Sequence, residues 1–102
     1  MTDLQIAQFV HETLSNFRVI NGQTPYPKFE DIPQENLDLY LGAVEGVRTG
    51  EIWTYEGIHK YWEEYAKIHS PEHPSIIPYM NLSDYEKQKD MICFELFDIF
   101  VS

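Results

Sequence analysis

Four histidines, His11, His59, His69 and His73, are the side chains best suited to chemistry near neutral pH, because an imidazole titrates there and can donate, accept or ligate. With Glu12 or Asp90 they could offer nitrogen and oxygen ligands to a metal ion. The spacing does not hold them for that work. No His-Glu-x-x-His occurs, and Ser70-Pro71 lies between His69 and His73, so those two are not held one helical turn apart. The expectation is no metal, with such imidazoles seated at helix contacts and one ring nitrogen donating to a carbonyl or carboxylate.

Catalytic groupings are equally hard to assemble. Glu63 and Glu64 are adjacent on a helical stretch, so their side chains diverge rather than share a proton. Cys93 stands between Ile92 and Phe94, without the basic surroundings that make a thiolate, and reads as a buried structural thiol. No glycine-rich phosphate loop is present. The chain is therefore read as a non-enzyme, with no catalytic residues and no cofactor. Binding has better material: Trp53, Trp62, Tyr79 and Tyr85 could stack on a base, and Lys87 and Lys89 could meet phosphate. The competing reading puts Trp62 in a core, uses Tyr79 as an anchor beside Pro78, and pairs the lysines with Glu86 or Asp90 along one helix.

The elements that must position these groups are four helices. Thr2-Asp3-Leu4-Gln5 is a capping box, followed by Leu4, Ala7, Val10, Leu14 and Phe17 at helical spacing to near Val19. Pro33 suits the first turn of a second helix carrying Leu37, Tyr40, Leu41, Val44 and Val47 up to Gly50. Gly42 and Gly46 weaken its interior, which points to a closely approaching neighbour. Thr54 caps a third helix bearing Ile58, Tyr61, Trp62, Tyr65 and Ile68, and Ser83 with Glu86 caps a fourth. That last helix is apolar around almost its whole circumference, so it is either central or covered by a second copy. Thr24 to Phe29 and Ser75 to Tyr79, stiffened by prolines, are extended segments that could pair as the only sheet. No internal repeat is visible. The fold class is mainly α, one small four-helix domain over residues 1–102 with short extended segments.

Seven basic against seventeen acidic side chains, a formal charge of −10, oppose phosphate backbones and anionic membrane surfaces. Direct nucleic-acid binding is not expected. One cysteine cannot form an internal disulfide, no apolar run approaches the roughly 18 residues that span a bilayer, and the first residues lack a basic signal segment. The reading is cytoplasmic.

Laid out this way, the chain resembles the ryanodine receptor repeat domain, and more closely its short stand-alone form in bacteriophage and bacterial proteins. The residues that carry this are His11-Glu12, Phe29-Glu30-Asp31-Ile32-Pro33, Thr54 with His59 and Trp62, and the terminal block His73-Pro74, Pro78-Tyr79, Leu82, Lys87, Lys89 and Asp90. One departure is that Glu63 to Glu72 has no glycine and no tryptophan where the family commonly has Gly-Trp-x-Tyr-Gly. The resemblance implies a non-catalytic binding module, a phage or prophage accessory protein in the host cytoplasm that senses or sequesters a small molecule of the adenine nucleotide or nucleotide second-messenger type. Its ligand-binding residues would be His11, His59, Trp62, His73, Tyr79, Lys87, Lys89 and Asp90. The alternative is an acidic inhibitor or adaptor, or a nucleic-acid mimic, directed at a host protein. A homo-oligomer built on the last helix is the third reading.

Overall fold

The computed structural model describes residues 1–101. Four α-helices, α1 (Asp3–Ile20), α2 (Gln34–Thr49), α3 (Tyr55–His69) and α4 (Asp84–Val101), are joined so that a one-turn 3-10 helix precedes α2 (Phe29–Asp31) and another precedes α4 (Tyr79–Asn81). The helix starts follow their cap residues. Thr2 and Gln5 exchange both bonds of a capping box, at 2.8 and 3.1 Å, and the Thr54 hydroxyl accepts the Gly57 amide at 2.9 Å. At α4 the Ser83 hydroxyl accepts from the Glu86 amide, while the Glu86 carboxylate turns toward Lys89 instead of closing the box. Pro33 lies one position outside α2 rather than in its first turn, and Gly50, at φ 82°, supplies the left-handed residue that ends it.

Ile6, Val10 and Leu14 of α1 meet Ala43, Val44 and Val47 of α2, Ile52 and Ile58, and Phe97 of α4 in one core. Helix α4 contacts all three other helices. Its apolar sequence is covered in part within the chain: Met91 and Ile99 are 39% and 61% exposed, whereas Phe97 is only 2% exposed. Burying such a side chain contributes about 1.5–3 kcal/mol. The glycines of α2 mark close approaches: a Cβ at Gly46 would stand 2.6 Å from the Ile52 side chain, and one at Gly42 would collide with the Tyr61 hydroxyl.

The extended segments do not pair, and no strand occurs among the described residues. A carbonyl of each segment is engaged by a histidine instead. Nε2 of His11 bonds the Pro27 carbonyl at 2.7 Å and Nε2 of His59 bonds the Ile77 carbonyl at 2.8 Å. Each imidazole thereby fastens the chain just before its one-turn helix.

This construction occurs twice. A helix carrying a buried histidine (α1, α3) leads through a proline-containing segment to a 3-10 turn and then to a second helix (α2, α4). The turns match in detail: Asp31 N–H donates to the Lys28 carbonyl at 2.9 Å, and Asn81 N–H to the Pro78 carbonyl at 2.8 Å. The histidine rings lie 5.8 Å from Phe29 and 6.3 Å from Tyr79, tilted by 54° and 53°. A repeat not apparent in the sequence is thus present in the local structure.

Candidate functional site

A cavity of about 480 Å³ opens where the two halves meet. Its wall takes matching positions from each: His11, Leu14, Tyr40 and Ala43 from the first, His59, Trp62, Asp90 and Cys93 from the second. Leu14 and Trp62 each follow their histidine by three residues, one helical turn. Tyr40 and Asp90 each stand eleven positions beyond the first residue of the preceding one-turn helix, Phe29 and Tyr79.

The chemistry of the halves differs at that last pair. In the first half the Tyr40 hydroxyl and Nδ1 of His11 lie 2.9 Å apart. Because Nε2–H of His11 donates to Pro27, Nδ1 is the acceptor and Tyr40 the donor. In the second half Nδ1 of His59 faces the Asp90 carboxylate at 3.7 Å, beyond hydrogen-bond distance. Burial, aided by Glu86 and opposed by His59 and Lys89, pushes Asp90 up to about 7. Burial also raises the Tyr40 phenol far above its usual range and pushes the Cys93 thiol up to about 12. That cysteine offers no thiolate near neutral pH.

Flat and cationic groups complete the wall. Trp62 stacks on His59 at 5.7 Å and meets the edge of His73 at 5.0 Å. Arg18, two helical turns after His11, places its guanidinium 4.5 Å from the Tyr26 ring, with Nε donating to the Thr24 carbonyl at 2.7 Å. No described carboxylate lies within 4.0 Å of that guanidinium. Lys89 also reaches Tyr26, 6.0 Å from the ring centre, with Glu86 at 3.7 Å. Burial works against its charge, yet Tyr26, Glu86 and Tyr85 outweigh this and hold the ammonium above its ordinary range.

Six of the eight residues expected at a site, His11, His59, Trp62, His73, Lys89 and Asp90, line this cavity. Tyr79 and Lys87 do not: Tyr79 sits against the His59 ring, and the Lys87 ammonium lies 5.8 Å from the Tyr79 ring. The Asp90 carboxylate faces His59 across helices rather than a lysine along α4. Trp62 is half-buried in the cavity wall rather than in the core, and Cys93 lines the same space. No family model matches the chain, and no curated protein or solved structure proves similar to it. Arg18, Tyr26 and Tyr40 were not singled out for the site from sequence. A signal for two of them exists, since Arg18 is on the His11 face of α1 and Pro25-Tyr26-Pro27 is as rigid a bracket as the one before Tyr79.

Proposed function

We propose that the chain is a non-catalytic binding module, similar to the ryanodine receptor repeat, whose ligand is a small heteroaromatic molecule bearing negative charge. An adenine-type nucleotide or nucleotide second messenger has this chemistry, and a phage or prophage accessory protein would use such a site to sense or sequester it. The observation that carries the reading is Arg18, a guanidinium without a carboxylate partner lining a cavity in a protein of charge −10. Acidic side chains outnumber basic ones, so a cation left unpaired in a concavity is reserved for an anion from outside. Lys89 supplies a second positive group, and Trp62 with Tyr26 supplies flat surfaces for a ring.

Thermal unfolding against mono-, di- and cyclic nucleotides tests this. A ligand at 100 times its dissociation constant adds about 2.7 kcal/mol and raises the midpoint by several degrees. Arg18→Ala and Trp62→Ala should each remove the shift. No shift across the panel would overturn the reading and favour an inhibitor or adaptor directed at a basic protein. That second reading draws on Glu30, Asp31, Glu35, Asp38, Glu45, Glu51, Glu56 and Glu64, all exposed.

A further inference from the structure

The repeated construction isolates one difference between the halves. At His11 the contact is closed, because Tyr40 brings a donor to Nδ1. At His59, above about pH 7 where Asp90 is ionised, the corresponding atoms are both acceptors. Nε2–H is committed to the Ile77 carbonyl, so Nδ1 of the neutral ring presents a lone pair, and a carboxylate oxygen of Asp90 stands 3.7 Å from it. No donor of the described residues hydrogen-bonds to either atom, and both residues line the cavity. Two acceptors at that separation match a single nitrogen that carries two hydrogens, placed about 2.9 Å from each. An aliphatic ammonium would meet this requirement but would bring a positive charge beside Lys89 in a wall that also holds Arg18. A neutral aromatic amine avoids that repulsion, and its ring would lie beside Trp62, which stacks on His59.

We infer that His59 and Asp90 together read a primary amino group on a planar ring, so that the cavity selects aminated heteroaromatic ligands over the same ring without the amine. The inference rests on the binding reading above and narrows its ligand class. Isothermal titration of the full chain at pH 8, where Asp90 is ionised, with adenosine 5′-monophosphate and with purine riboside 5′-monophosphate, which lacks only the amino group, tests it. The aminated nucleotide should bind about ten- to a hundredfold more tightly, the ratio expected for hydrogen bonds that include a charged acceptor. Asp90→Leu removes one acceptor. Asp90→Asn, nearly isosteric, puts an amide N–H in place of the acceptor that faces Nδ1 of His59. Both variants should reduce the preference to less than about threefold, and Asp90→Asn keeps the test available should the leucine variant fail to fold. Equal affinities in the wild type, or a preference unchanged by Asp90→Asn, would overturn the amine reader while leaving a binding cavity. Absence of binding by both nucleotides would overturn the binding reading together with it.

Discussion

Nδ1 of His59 and the carboxylate of Asp90 stand 3.7 Å apart with no hydrogen bond between them, although Nδ1 of His11 and the hydroxyl of Tyr40 are bonded at 2.9 Å in the corresponding place. The two histidines do the same structural work through Nε2, each holding a carbonyl just before a one-turn helix. Only their second nitrogens differ in what they meet. One half of the cavity is therefore satisfied internally and the other is left with acceptors.

Stability should fall as pH rises through the neutral range. Asp90 is held at about 7 by burial, then Glu86, against His59 and Lys89; Tyr79 and Cys93 also couple to it. In an unfolded chain it titrates near 3.9. Between those values the folded protein keeps a proton that the unfolded chain has released, so this contribution is complete below about 4 and is lost as pH passes 7. Urea denaturation at pH 5 and pH 8 should show the wild type losing about 2 kcal/mol more than Asp90→Asn. Equal losses in the two proteins would contradict the assignment.

Tyr40→Phe keeps the ring packed but removes the donor to His11. A buried imidazole nitrogen left without its partner costs about 1–3 kcal/mol. The measurement is the denaturant midpoint at pH 7.5, with an unchanged slope showing that the same surface is exposed. A midpoint equal to that of the wild type would show that the contact does not contribute.

Gly46→Ala should destabilise the protein although alanine favours a helix by about 1 kcal/mol over glycine. The added methyl would stand 2.6 Å from Cδ1 and 3.0 Å from Cγ1 of Ile52, whose amide is itself tied to the Gly46 carbonyl at 2.9 Å. Overpacking of this kind costs about 1–3 kcal/mol, so the balance is a net loss of up to about 2 kcal/mol. Gly46→Ala with Ile52→Val should recover part of it, and thermal midpoints of the two variants decide the matter.

Cys93 should resist alkylation in the folded state. With its thiol pushed up to about 12 by burial, and by the negative charge of Asp90 after that, almost no thiolate exists at pH 8. Iodoacetamide labelling followed by mass spectrometry should show slow modification of the native protein and rapid modification in concentrated urea. Similar rates in both conditions would mean that the cavity does not enclose the sulfur.

Much of the scaffold was legible in the residues themselves. Thr2, Thr54 and Ser83 write the helix starts, Gly50 writes an end, and the three- and four-residue spacing of Val10, Leu14, Val44 and Val47 writes the inward faces. These signals are local, acting within one or two turns, so the sequence carries them openly. Six of the cavity-lining residues, His11, His59, Trp62, His73, Lys89 and Asp90, stood among those the resemblance implied; residue type alone did not mark them, since Asp90 has neither a ring nor a positive charge. What the sequence hid is the duplication. Of the matching cavity positions only His11 and His59 share a residue, while Leu14 faces Trp62, Tyr40 faces Asp90 and Ala43 faces Cys93 as counterparts. A backbone construction held by one imidazole and one carbonyl constrains few other side chains, so the two halves could diverge around it. The fate of the extended segments was likewise a tertiary matter, since their carbonyls could serve a strand or an imidazole equally well until α1 and α3 brought the histidines to them. The sequence alone determined four helices, three of them capped by a hydroxyl, and an acidic exterior; tertiary packing decided that Asp90 meets His59 across the fold rather than a lysine along its own helix, because partners on separate helices are chosen by proximity in space.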